Sequence, residues 1–270
     1  MQLYHGTSSV CSQKVRVTFA EIGLEYESTL LDLPKGDQFD PGYLRLNPDG
    51  VVPTLIDDGL IIVESSLIAE YLDKTYNGGR LMPDDRVWEV RTRHWLLRCL
   101  AIHDAINTLT FSTGNRDKAL ASKTPEEIEA GIARMPNPVN RSKRRDLFAH
   151  GLNSQFVGQA LRTLRRTFAD MKAHAAEHGW VSGPGFGLAD IGLVAYIDRI
   201  DRLGFAGLWE AEYAPVGTWL DAMRSRPSYD TAIASFIPDD AAKTQRAAGT
   251  KYWPDLAERW ATADPGEQTG

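Results

Sequence analysis

The segment Ser8-Ser9-Val10-Cys11-Ser12-Gln13-Lys14-Val15-Arg16 places three hydroxyls and a thiol where helical spacing begins. A helix start presents unpaired N–H groups and the positive end of the backbone dipole, which stabilise a thiolate or a carboxylate. Hydroxyls there can donate to a bound thiolate, and a cysteine in the first turn has a lowered pKa. Serines ahead of a helix also serve as ordinary caps, so the run alone leaves both readings open. A second group is Val51-Val52-Pro53-Thr54-Leu55, followed by Glu64-Ser65-Ser66. Val52-Pro53, between a loop and a strand, is a place for a cis bond, which would turn the preceding N–H and C=O towards a peptide-like ligand. The alternative is a trans proline opening an edge strand. Glu64-Ser65 at a helix start offers a carboxylate, a hydroxyl and N–H groups. That set suits a zwitterionic amino-acid head group, and it also suits a plain cap.

The elements that must hold these groups are short. Gln2–His5 reads as a brief strand, and Val10, Val15, Phe19 and Ile22 give helical spacing that Gly23 stops. Tyr26–Leu33 reads as a second strand, followed by a loop over 34–42 and a helical turn at Tyr43-Leu44. Val52–Ile56 and Leu60–Val63 flank Asp57-Asp58-Gly59, a tight-hairpin signature. Ser65–Tyr76 is amphipathic. The order is βαβ then ββα, and the crossover makes the first two strands parallel. After a linker over 77–85 the spacing is helical, with helices expected at 88–112, 124–134, 153–178, 188–202 and 215–225. Pro136, Pro138, Pro184, Pro215 and Pro227 punctuate them. Residues 239–270 are polar but carry Tyr252, Trp253 and Trp260, and are expected to fold back with those rings as anchors.

Composition narrows the function. The chain has 270 residues, 43% hydrophobic and 24% charged, which excludes a wholly disordered or fibrous protein. Its formal charge of −6 gives no global pull towards nucleic acid. No apolar run reaches the roughly 18 residues of a membrane helix, and the first residues do not read as a signal peptide, so a cytoplasmic chain without membrane contact is expected. Two cysteines, Cys11 and Cys99, exclude a disulfide scaffold and argue against a zinc–cysteine site. His94 and His103 fall on opposed helix faces, so no metal pair is expected. Gly183-Pro184-Gly185-Phe186-Gly187 lacks the Lys-Ser/Thr of a phosphate loop and reads as a turn. Arg141-Ser142-Lys143-Arg144-Arg145 reads as a solvated helix face, and Cys99 as a core thiol.

LYHGTSSVCSQKVR, LRLNPDGVVPTL and ESSLIAEYLD, in this order and spacing, resemble the N-terminal domain of a cytosolic glutathione S-transferase. The resemblance covers about residues 1–238, and FGLADIGL is similar to the family's capping-box segment. It implies the glutathione S-transferase architecture: an α+β thioredoxin-like domain over 1–80 that binds glutathione, an all-α acceptor domain over 88–238, and a tail over 239–270. Carried over, Ser9 falls on the hydroxyl that activates the glutathione thiol. Gln38 serves its glycyl end, Val52 before Pro53 its cysteinyl part, and Glu64 with Ser65 its γ-glutamyl head. Two departures stand out. Val51 replaces a common Lys or Gln, and Gly187 replaces the usual Ser or Thr cap ahead of Asp190.

Ser9-Val10-Cys11-Ser12 is similar to the zeta class (maleylacetoacetate isomerase) and to the reductive dehalogenase of chlorinated hydroquinones, where a cysteine at the Cys11 position takes glutathione off a conjugate. Ile132–Pro138 and Arg141–Arg145 resemble instead the bacterial β-etherases of lignin breakdown, in which Ser12 falls on the serine beside the thiol. The resemblance therefore implies glutathione as cosubstrate and a hydrophobic aromatic acceptor shaped by 99–150 and the 252–260 aromatics. It implies a homodimer, with a heterodimer as the alternative. β-Aryl ether cleavage leads, dehalogenation and isomerisation are the rivals, and a non-catalytic glutathione-binding protein stands outside the enzyme class. Ser9, Cys11 and Ser12 remain the catalytic candidates, and no metal site is expected.

Overall fold

A computed structural model describes residues 1–263. In chain order it contains β1 (Gln2–His5), α1 (Val10–Ile22), β2 (Glu27–Leu30), a short α2 (Pro41–Leu44), β3 (Thr54–Asp57), β4 (Leu60–Val63) and α3 (Ser65–Tyr76). Helices follow throughout: α4 (Arg86–Ser112), α5 (Gly114–Ser122), α6 (Pro125–Ala133), α7 (Pro138–His150), α8 (Gln155–His178), α9 (Leu188–Arg202), α10 (Gly207–Glu210), α11 (Pro215–Arg224), α12 (Pro227–Ala232), α13 (Asp239–Thr250) and α14 (Trp253–Thr262). Two compact units result. The first comprises 1–99, 177–195 and 219–238, and the second 100–176, 196–218 and the described residues from 239 onward.

In the first unit the sheet order is β2-β1-β3-β4. β1 and β2 are parallel, as the crossover requires, while β3 pairs antiparallel with both β1 and β4. The β3–β4 turn has Asp58 at φ 47° and Gly59 at φ 81°, the two left-handed residues of a tight hairpin. Leu3, Leu55 and Ile62 from the sheet meet Val15 and Phe19 of α1 and Ile68 and Leu72 of α3 in one core. Helix α1 packs on α3 and on α12, so its burial extends beyond the apolar stripe to Gln13, Lys14 and Arg16. It ends at Gly23, φ 67°, where the Leu24 N–H returns to the Phe19 carbonyl at 3.0 Å. Strand β2 is shorter than the apolar run 26–33, and β3 begins at Thr54, after the proline that cannot donate to a ladder.

The departure at Gly187 has a local remedy. Ser182 Oγ accepts from the Ala189 and Asp190 N–H groups at 3.1 and 3.3 Å, the bonds a capping hydroxyl would make. The buried Asp190 carboxylate accepts from Val181 N (2.8 Å), Gly187 N (3.1 Å) and Trp219 Nε1 (2.7 Å). A Cβ at 187 would sit 2.5 Å from the Leu81 carbonyl oxygen and 3.0 Å from Ser182 Oγ. Glycine is required by close approach, and the cap has moved to a neighbouring turn.

In the second unit, α13 and α14 lie against the other helices. The Tyr252 hydroxyl donates to Asp117 Oδ1 at 2.7 Å, and Trp253 lies over Gly207. The Trp260 ring stands 6.0 Å from Phe168 and 6.4 Å from Tyr213, with the Arg165 guanidinium 4.3 Å from its centre. Of the tail reading over 239–270, residues 264–270 lie outside the described residues.

Replacing Gly187 with serine, the residue type usual at a helix cap, is expected to lower stability. The overpacking cost of about 1–3 kcal/mol exceeds the few tenths a better cap returns. Urea denaturation of Gly187→Ser checks this, and a raised midpoint would reject the close-approach account.

Candidate active site

Residues placed far apart in sequence meet at one end of the sheet. Tyr4 is opposite Thr54, and Thr54 is opposite Val63. The turn after β1, the Val52-Pro53 step before β3 and Glu64-Ser65 after β4 therefore emerge side by side. β2 runs parallel to β1, with Leu30 opposite His5, so the loop that leads to Gln38 leaves from the same end. The topology thus brings Ser9, Cys11, Ser12, Val52, Pro53, Glu64 and Ser65 to one end of the sheet, while Gln38 lies eight residues beyond β2 in the loop that leaves from that end.

The three catalytic candidates occupy different environments. Ser9 is the N-cap of α1, half-buried, and its oxygen accepts the Ser12 N–H at 3.3 Å. Among the described residues no acceptor takes its hydroxyl proton. Ser12 is fully buried, and its Oγ accepts the Gly6 N–H at 3.1 Å, which fastens the turn after β1 to the helix. Cys11 is half-buried in the first turn.

Beneath this turn lies Arg16, 2% exposed. Its Nη1 donates to the Gly6 carbonyl at 3.1 Å, its Nη2 to the Thr7 carbonyl at 3.0 Å and its Nε to the Ala232 carbonyl at 2.8 Å. The Phe236 ring covers the guanidinium at 3.8 Å. No carboxylate pairs with it among the described residues. Burial draws its pKa down to about 10, so it stays charged at neutral pH. Nη1 also donates to His5 Nδ1 at 3.1 Å, which fixes the proton of that ring on Nε2, bonded to Ser28 Oγ at 2.8 Å. Burial, with the Arg16 charge beside it, lowers the His5 pKa to about 4.

The ligand-binding candidates are shaped by backbone. The Val52-Pro53 bond is cis. Val51, exposed as a side chain, has its carbonyl held by the Tyr43 hydroxyl at 2.6 Å and Asn47 Nδ2 at 2.9 Å. Val52 precedes the first ladder position of β3, so its N–H and C=O lie outside the strand pairing. Gln38 is half-buried, and its Oε1 is enclosed with no hydrogen-bond partner. Glu64 has φ 72° and ψ 109°, an arrangement that costs a non-glycine residue on the order of 1–3 kcal/mol. Its exposed carboxylate does not cap α3, and among the described residues neither it nor the buried Ser65 hydroxyl has a hydrogen-bond partner.

Elsewhere, Cys99 is buried with its thiol towards the Gly192 carbonyl at 3.5 Å, a core position as the sequence indicates. Gly183–Gly187 forms the turn that leads into α9. No cluster of His, Cys, Asp and Glu among the described residues is arranged to hold a metal. Arg16 and His5 were not singled out in the sequence. Ser9, Ser12 and Arg16 nevertheless stand at helical intervals of three and four, and that spacing places all three on one face of α1.

Comparison with known proteins settles the family. The chain matches the glutathione S-transferase N-terminal domain over residues 8–75 and the glutathione S-transferase C-terminal domain over residues 127–222. The chain is a glutathione S-transferase. It is 45% identical over 228 residues to glutathione S-transferase hmp2 of Hypomyces subiculosus, covering 84% of this chain and 95% of that one. Protein LigF of Sphingobium sp. strain SYK-6 is 27% identical over 259 residues, 91% of this chain and 97% of its own. The crystal structure of β-etherase LigF aligns with a TM-score of 0.77, covering 87% of this chain and 98% of that one. A tetrachloro-p-hydroquinone reductive dehalogenase of Sphingobium chlorophenolicum is 25% identical over 238 residues, 86% of this chain and 95% of its own. The transferase is accordingly a glutathione-dependent enzyme with glutathione as cosubstrate, built as a mixed four-stranded sheet followed by a helical region. None of its described helices is long and apolar enough to cross a membrane.

The buried neutral His5 makes the transferase acid-sensitive. An unfolded histidine binds a proton below about pH 6.5, whereas folded His5 resists until about 4. Stability is full above that window and falls as pH drops through it, by about 3 kcal/mol at its lower end. Denaturant midpoints measured from pH 7 to 4 for the wild type and His5→Asn check this, since the variant should lose that part of the slope.

Proposed function

We propose that Ser9 holds the thiolate of glutathione for attack on an aromatic-derived electrophile, with β-aryl ether cleavage as the reaction. The carrying observation is the Ser9 hydroxyl, half-buried at the N-cap of α1, its oxygen anchored by the Ser12 N–H and its proton available to an anion. Lowering a thiol pKa from about 8.5 by two units needs about 2.7 kcal/mol. A hydroxyl bond to a charged acceptor contributes about 1.5–3 kcal/mol and the helix end about 0.3–1 more. The uncompensated Arg16 charge behind the turn acts in the same direction. Ser12, buried and bound to Gly6, is assigned a positioning role. Gln38 serves the glycyl end of glutathione, Val52 with Pro53 its cysteinyl part, and Glu64 with Ser65 its γ-glutamyl head. In this reading residues 1–80 bind glutathione, 88–238 take the acceptor, and the enzyme is a cytoplasmic homodimer.

In the reaction the thiolate attacks the carbon that bears the aryloxy group beside a ketone. The C–S bond forms as the C–O bond breaks, and the departing aryloxide takes up a proton from water. The similarity to β-etherase LigF over most of both chains supports this acceptor. A second reading, glutathione removal from a conjugate by Cys11 as in a reductive dehalogenase, rests on the half-buried thiol two residues from Ser9.

Incubation with glutathione and a racemic α-keto β-aryl ether, followed by mass spectrometry, is expected to release phenol and glutathione thioether in equal amounts. Recovery of the intact ether rejects the etherase reading. Separately, Ser9→Ala should raise the pKa of bound glutathione by about one to two units, followed by thiolate absorbance in the ultraviolet. An unchanged titration removes Ser9 from this role.

A further inference from the structure

The basic run of α7 is not the uniformly solvated face that its sequence indicates. Three of its four cations are tied to acceptors. Arg141 Nη1 donates to the Met135 and Pro136 carbonyls at 2.6 and 2.9 Å, Lys143 Nζ to Asp104 Oδ1 at 2.6 Å, and Arg145 Nε to both Glu129 oxygens at 3.1 and 3.0 Å. Arg144 has no acceptor among the described residues. Its guanidinium instead lies over the Phe111 ring of α4, 3.4 Å from the centroid. The side chain is half-buried, and burial without a compensating carboxylate pulls its pKa down to about 10, so it is a cation at neutral pH. Phe111 itself ends a half-buried stripe of α4, following His103 and Asn107 at four-residue intervals, with Asn107 Nδ2 3.1 Å from His103 Nε2.

A guanidinium stacked on a ring keeps its N–H edge in plane and outward. That edge fits a planar oxyanion with two parallel hydrogen bonds, and a partly desolvated cation gains most from such a partner. Phe111 is half-buried with the stacked face covered, so its remaining apolar edge beside the guanidinium favours a carboxylate carried on a ring over a small inorganic anion.

We propose that Arg144 and Phe111 form a binding site in the second unit for the carboxylate of an aromatic acid. The proposal rests on the transferase reading and adds to it a preference of the second unit for aromatic ligands that carry an acidic group.

The full chain, with saturating glutathione and without it, is titrated by calorimetry with benzoate and with methyl benzoate. Benzoate is expected to bind the wild type, and Arg144→Gln to lose roughly tenfold or more in affinity, as for one charge-assisted hydrogen bond. Arg144→Lys should retain part of the affinity, and methyl benzoate should not distinguish the variants. Equal benzoate affinity in wild type and Arg144→Gln, no benzoate binding to the wild type, or displacement of benzoate by glutathione overturns the proposal. If Arg144→Gln does not fold, Phe111→Leu carries the test, with benzoate weakened severalfold expected and unchanged affinity overturning it. Glutathione titrated alone in the same instrument separates the two readings. Its failure to bind rejects the transferase reading, whereas its binding without any benzoate heat rejects only the Arg144 site.

Discussion

A positive charge fully enclosed in protein, with no carboxylate among the described residues to neutralise it, organises the first unit. Arg16 is tolerated because three carbonyls and an aromatic face surround it, and each of those groups had to be brought there. Gly6 and Thr7 turn their carbonyls inward, so the turn after β1 cannot relax into another shape without stranding the cation. Ala232 and Phe236 come from the far side of the sequence, which makes the end of α12 and the turn beyond it part of the foundation of the site. His5 must remain neutral to accept from Arg16, and Ser28 on the neighbouring strand takes the remaining proton. One buried guanidinium thus ties β1, β2, α1 and α12 into a single electrostatic arrangement.

Above that foundation the site is made chiefly of strand ends, a helix start and backbone. The strands are only four residues long, so their register alone decides which loops meet. A shift of one residue in the β1–β3 pairing would turn Leu3 and Leu55 away from the core and separate Val52 from the turn at Gly6. Glu64 illustrates the price of such placement. Its left-handed backbone opposes folding, and only the hairpin before it and the helix after it hold it there.

Much of this arrangement was legible in the residues. Apolar spacing located α1, α3 and the long helices α8 and α9 closely, and Asp58-Gly59 marked the hairpin. The family motifs named Ser9, Val52 and Glu64, which lie on the loops that the registers bring to one end of the sheet. What escaped notice has common physical causes. Helix α7 buries only Leu147 among thirteen residues, so it has no apolar stripe, and its signature was instead the Asn137 cap followed by Pro138. Arg16 resembles a surface cation until its neighbours are known, because burial by a carbonyl cage from remote segments leaves no local pattern. The same holds for Arg144, which differs from Arg141 and Arg145 only in what lies opposite.

The cap of α9 shows how a local need can be met from a distance. The oxygen that closes the helix start comes from Ser182, on the other arm of the Gly183–Gly187 turn, rather than from the position ahead of the first turn. Surface turns ordinarily absorb insertions and deletions with little harm. Here the length of the turn is itself a structural parameter. One residue more or fewer between Ser182 and Leu188 would carry the hydroxyl out of register with the N–H groups it serves and disturb the donors gathered around Asp190. This glycine-rich stretch, which looks freely variable in composition, is therefore a segment whose length is closed to change in this chain.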